Sequence, residues 1–191
     1  MAIRLSIQRR PLRILDFDSE CRPMHYSEWR KESQITGIAW SWIGQDKVHC
    51  ELLEQDLSNE CDLIVKFLAA YNEADMVTGH YLRKHDLPLI NDHCIRMGLP
   101  MMKSILVQDT QADVYAVKDL GKSQENLAIT FGVGADKHHM TGAQWRVANG
   151  LTPEGRAGTR KRVVDDVLQH KQLRQELLDR GLLKAPKRWR P

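Results

Sequence analysis

Three acids near the start of this sequence have the types and spacing to do chemistry together, and two more lie further along it. Asp16, Asp18 and Glu20 alternate along residues 12–20 (LRILDFDSE), Asp86 precedes Leu87-Pro88, and Asp166 lies in an amphipathic stretch near the end. Side chains two apart on a strand share a face, so Asp18 and Glu20 point the same way, with Cα atoms roughly 7 Å apart, and Asp16 joins them. Like charges on one face of a buried strand repel one another and lose hydration. A hard divalent cation with oxygen ligands relieves both costs, so magnesium or manganese is the expected ion. A strand end splayed into solvent is the alternative that residues 12–20 leave open on their own.

The surrounding elements are legible in outline. Residues 12–20 have an apolar lead-in and a polar end, as a buried strand has where it reaches a rim. Residues 35–43 and 48–53 are predicted strands, and residues 59–73 a helix with Asn59 as its N-cap. A short strand over 75–78 ends at Gly79. A helix follows over 86–98, then a strand over 104–108 and helices over 123–131 and 141–149. Gly150, Pro153, Gly155 and Gly158 predict a mobile loop over 150–160. The last helix is expected from about Arg160 to Arg180, with Val163, Val164, Val167, Leu168, Leu173 and Leu177 as its apolar stripe. The order predicts an α/β fold in which a mixed five-stranded sheet is flanked by helices. One domain over residues 1–180 and a basic tail over 181–191 are expected.

Composition is that of a folded chain: 191 residues, 42% hydrophobic and 28% charged. No apolar run reaches a membrane span and no signal peptide is evident, so a soluble, cytoplasmic protein with no membrane partner is expected. Cys21, Cys50, Cys61 and Cys94 form no C-x-x-C pair and are expected as reduced thiols. The net charge of +3 is small, but Arg156, Arg160, Lys161 and Arg162 cluster, as do basic residues after Arg180. Such runs can track a phosphate backbone or lie on a solvated face.

The acids also sit in a recognisable order. Phe17-Asp18-Ser19-Glu20 resembles the first motif, F-D-x-E, of DEDD-type 3′–5′ exonucleases, a superfamily with a ribonuclease-H-like fold that includes the proofreading domains of DNA polymerases. Residues 75–90, where a strand ends in Gly79 and Asp86-Leu87-Pro88 opens a helix, resemble its second motif. Asp166-Val167 resembles the third, and residues 123–133 resemble a segment of polymerase-like members. The resemblance covers about residues 12–178. It implies a stand-alone, two-metal phosphodiester hydrolase acting on single-stranded DNA or RNA 3′ ends. Asp18, Glu20, Asp86 and Asp166 would be catalytic residues and ligands of two Mg²⁺ or Mn²⁺ ions, with Asp165 the fallback for Asp166. Replication or repair proteins are the candidate partners. Tyr81, Arg160, Lys161 and Arg162 are the candidate nucleic-acid contacts.

The match breaks at one position. The family carries a tyrosine four residues before the final aspartate, or a histidine five before it, to orient the attacking water. Here those positions hold Arg162 and Lys161. His138, His139 and His170 are the candidates to replace that residue. Tyr81 and His85 stand where the family often has Asn and Phe. Two other readings remain: a catalytically impaired module that binds nucleic acid or serves replication, and a structure-specific endonuclease of the same fold.

Overall fold

A computed structural model describes residues 10–23, 33–134 and 140–191. Six strands make one sheet. In chain order they are β1 (Ile14–Pro23), β2 (Ser33–Trp42), β3 (His49–Leu52), β4 (Met76–Gly79), β5 (Ile105–Asp109) and β6 (Lys187–Trp189). The spatial order is β3-β2-β1-β4-β5-β6. The first three strands are antiparallel neighbours, β4 and β5 continue parallel to β1, and β6 closes the far edge antiparallel to β5. The sheet therefore has six strands, not five. The extra one comes from the basic tail, whose Trp189 is buried in the core while Lys187 and Arg188 stay exposed.

The helices are α1 (Glu60–Glu73), α2 (Asp86–Arg96), α3 (Thr110–Val114), α4 (Gln124–Phe131), α5 (Gly142–Asn149) and α6 (Pro153–Asp179). α6 begins seven residues before Arg160, inside the segment expected as a loop. The reason is local. Thr152 caps the helix by accepting from Gly155 N, and Pro153 takes the first turn, where its missing N–H costs nothing. Asn59 does stand at the N-cap of α1, but its side chain faces backwards. It accepts from Glu54 N and donates to Leu52 O, tying the helix to the end of β3. Among the described helices, none is long and apolar enough to cross a membrane.

Alternation along β1 separates two environments. Leu15 and Phe17 face a large core with Ile35, Ile38, Trp40, Phe67 and Tyr71. Asp16, Asp18 and Glu20 face the other way, toward α6. Their partners on β2 are Ser41, Ala39 and Gly37 respectively, all small. That stripe lets α6 lie close: Val163 and Val167 pack on Ala39, and a Cβ at Gly37 would come 3.2 Å from the Thr159 methyl. The buried residues of α6 recur at helical spacing, Thr159, Val163, Asp166, His170 and Leu173 among them. Leu168 of the expected stripe is exposed. The small residues on β2 thus bring the polar members of the α6 face down onto the acids of β1.

Candidate metal centre

Asp18, Glu20 and Asp166 converge. One carboxylate oxygen from each lies within 4.8 Å of the others. β1 supplies two of them from one face, and α6 supplies the third because the β2 stripe admits it. Glu20 and Asp166 are largely buried, with 14% and 6% of their side chains exposed. Asp165, one residue away, instead pairs with Lys161 at 2.7 Å on the outer side. It is Asp166, then, and not Asp165, that joins the cluster.

Asp86 stands just outside this set of three. It is buried in the first turn of α2 and accepts from both Ser19 N (3.1 Å) and Ser19 Oγ (2.5 Å). Burial drives its carboxyl up to about 6, against the pull of the Ser19 bonds. Glu20 rises further, to about 7: burial is the main cause, the neighbouring Asp166 charge adds to it, and Arg162 opposes both. Burial is the main cause in both, and a cation beside these acids would offset it.

Arg162 is one such cation. Its Nε lies 2.9 Å from Asp166 Oδ2 and 3.4 Å from Glu20 Oε1. With 19% of its side chain exposed, it is turned inward, unlike the exposed Arg160 and Lys161. The residue expected along a nucleic-acid track sits inside the carboxylate cluster. In the sequence the arginine stands out as one of a basic run and as a departure from the family pattern, neither of which places it beside Glu20 and Asp166.

His170 does not reach the cluster. It is buried, its Nδ1 2.7 Å from Asp16 Oδ2 and its Nε2 3.1 Å from Thr110 Oγ1. Thr110 Oγ1 is also 3.0 Å from His80 Nδ1, and His80 Nε2 is 2.8 Å from the Lys122 carbonyl. A hydroxyl has one proton to give, so at least one ring must donate to Thr110. His80 already donates to a carbonyl at its other nitrogen, and His170 shares a proton with Asp16. Thr110 thus couples His80 to the His170–Asp16 pair. Burial pushes the Asp16 carboxyl up, and His170 holds it back. His138 and His139 lie outside the described residues.

A cleft of about 300 Å³ opens over the cluster, lined by Asp18, His80, Tyr81, Gln111, Arg162 and Asp166 among others. Tyr81 is 40% exposed and sits at φ 66°, a costly backbone for a non-glycine residue. Asp109 holds it there, accepting from Tyr81 N and Arg83 N at 3.0 Å each. Just before it, Gly79 passes so close to β1 that a Cβ would meet the Phe17 carbonyl at 2.8 Å. Tyr81 and Gln111 also border a second hollow of about 520 Å³, shared with Arg83, Lys84 and Tyr115.

The architecture has a close parallel among solved structures. It matches a family B DNA polymerase from the hyperthermophilic archaeon Pyrobaculum calidifontis with a TM-score of 0.71 and 18% sequence identity. The match covers 91% of this chain and 25% of the polymerase chain, so the chain spans a quarter of that protein's length. The fold is ribonuclease-H-like. A ribonuclease-H-like sheet with its acids on β1 and its last acid on the long helix fits the order of elements read from the sequence. No family model matches the sequence, and no curated protein matches it.

The donor set suits a divalent ion. It is all oxygen, three carboxylates deep and partly buried, and burial, with the Asp166 charge beside it, raises the Glu20 carboxyl. Such a set suits magnesium or manganese better than zinc or copper. The cysteines are free thiols, and none belongs to the cluster.

Proposed function

We propose that this chain is a divalent-metal-dependent 3′–5′ exonuclease that hydrolyses phosphodiester bonds at single-stranded nucleic-acid 3′ ends. The observation that carries the reading is the convergence of Asp18, Glu20 and Asp166 within 4.8 Å, beneath a cleft on a ribonuclease-H-like sheet. Asp18, Glu20 and Asp166 would hold the ion. When bound there, a divalent ion lowers the pKa of a water and stabilises charge building on the phosphate. Asp86, fixed by two bonds from Ser19, adds a fourth negative charge to the same neighbourhood. Tyr81 supplies an exposed ring at the cleft mouth on which a terminal base can stack. Arg83 and Lys84, beside the adjoining hollow, offer positive charge to the strand that follows.

The test is degradation of a 5′-labelled single-stranded oligonucleotide with Mg²⁺, Mn²⁺ or EDTA, using wild type beside Asp18→Ala. A descending ladder that needs metal and disappears in the variant supports the reading. A circular single strand cut under the same conditions would mean an endonuclease. Arg162 favours a second reading, since it stands where relatives carry the water-orienting residue: a module that binds nucleic-acid ends and turns over little. That reading predicts oligonucleotide binding without product, on DNA and RNA alike.

A further inference from the structure

The hollow of about 520 Å³ lies beside the cleft over the acids, and Tyr81 and Gln111 belong to the walls of both. Its volume is that of a pocket for a small organic ligand. The lining narrows the choice. Tyr81 and Tyr115 border it, 40% and 73% exposed. Arg83 and Lys84 bring two positive charges. Lys84 is exposed, while Arg83 is fixed by donating to the Lys187 and Arg188 carbonyls of β6. Asp109, the acid in the lining, is buried and committed to the backbone: it accepts from Tyr81 N, Arg83 N and Ala112 N. Those bonds tie the Tyr81 turn to α3, which Tyr115 directly follows. Exposed aromatic faces beside cations suit an unpaired nucleobase and its phosphate, since a ring stacks on any base and the cation attracts the backbone.

We propose that this hollow is a second nucleotide subsite, which takes the unpaired nucleotide next to the 3′-terminal one, its base against Tyr115 and its phosphate toward Lys84. The proposal rests on the exonuclease reading above and deepens it by setting how much of the strand must be single. Because the two spaces share Tyr81 and Gln111, a strand that places its terminal nucleotide over the acids leads the next one into the hollow. A nucleotide still paired in a duplex cannot enter, because its base is covered by its partner and its neighbours. The centre therefore needs two unpaired nucleotides. Recognition in the hollow is by ring face and charge, so it is tolerant of sequence.

The experiment measures binding of 5′-labelled single strands to the full chain by fluorescence anisotropy, in EDTA and with Ca²⁺, so that it needs no turnover. One strand is intact, and the others carry an abasic residue at the terminal, the penultimate or the fifth position from the 3′ end. Tyr115→Ala is expected to weaken the intact strand about tenfold, and so is the penultimate abasic residue in wild type; combined, the two should lose no more than either alone. Tyr115→Phe should bind as wild type does. Tyr115 is exposed, so the alanine variant is expected to keep a native circular dichroism spectrum. A loss below about twofold in Tyr115→Ala overturns the proposal, as does a loss that simply adds to that of the penultimate abasic residue. A loss absorbed by the terminal or the fifth abasic residue instead, or no binding by wild type, overturns it too. Lys84→Gln should weaken all the strands alike and lower the salt slope by about one, and an unchanged slope would remove Lys84 from the phosphate. Metal-dependent product from the intact strand reports separately on the exonuclease reading. The expected binding pattern without product keeps the subsite and removes the exonuclease, whereas product with additive losses does the reverse.

Discussion

Asp16 and Asp18 are two residues apart on the same face of β1, yet the protein treats them as opposites. Asp16 is fully buried and answered by His170, itself braced by Thr110 and His80. Asp18 and Glu20 lie at the rim, where they meet Asp166. The deep acid meets a base inside the fold through its Oδ2. A cluster of three acids at the rim, with Arg162 beside two of them, is a place where a divalent ion could bind. The difference shows how one strand can hold both a support and a site: depth decides whether the chain or the solvent provides the counter-charge.

The largest effect should fall on the rim. Asp18→Ala is expected to cut turnover by several orders of magnitude in the oligonucleotide assay, with an unchanged or slightly higher urea midpoint in EDTA. A large loss of stability would make Asp18 a structural acid like Asp16 and erase the contrast. The deep pair should behave in reverse. His170→Ala leaves a buried acid without its partner and should cost roughly 3–5 kcal/mol in urea unfolding. Adding Asp16→Asn to that variant should recover part of the loss, and a strictly additive double variant would mean the two do not act as a pair.

The third test uses pH. Glu20 titrates near 7 and Asp86 near 6 in the fold, both above their ordinary values of 4.5 and 3.8, chiefly through burial. Raised acids favour the fold while protonated, so that stability is present below the ordinary values and lost as pH rises through 6 and 7. In EDTA the urea midpoint should therefore fall between pH 5 and pH 8. Glu20→Gln should remove on the order of 1–3 kcal/mol of that fall. A flat profile in wild type would show that Arg162 already satisfies the cluster. The smallest effect belongs to Asp165, held by Lys161 in a partly exposed i,i+4 pair. Asp165→Asn should change stability by about 0.5 kcal/mol or less and leave Mn²⁺ binding as it was.

What the sequence made legible was whatever depends on local period. Asp18 and Glu20 share a face because a strand repeats every two residues, and Asp166 faces inward beside Val163 and Val167 because a helix repeats every 3.6. The order of strands and helices followed from the same periods. What stayed hidden depends on distance or context. His170 and Asp16 are separated by 154 positions, and nothing local pairs them. Arg162 sits in a run of basic residues that reads as a solvated face, and only docking of α6 distinguishes it from Arg160 and Lys161. A usable signal was present on β2, where Gly37, Ala39 and Ser41 alternate as small residues and mark a close-packed helix on that face. The start of α6 was masked by glycines near it, although Thr152-Pro153 is a helix-opening pair. β6 was masked by its three-residue length and its charge.

That short strand has a consequence for how copies of the protein treat one another. Lys187–Trp189 covers the outer edge of β5, and it is fastened there: Arg83 donates to the Lys187 and Arg188 carbonyls, and Ser104 donates to that of Trp189. Bare, the β5 edge would present a row of unsatisfied amides and carbonyls, the template on which sheets from separate molecules join into aggregates. The new edge is only three residues long and carries two exposed cations, so an approaching strand meets little to pair with and like charge to repel it. The last residues of the chain thus exchange the longer β5 edge for a shorter and more highly charged one.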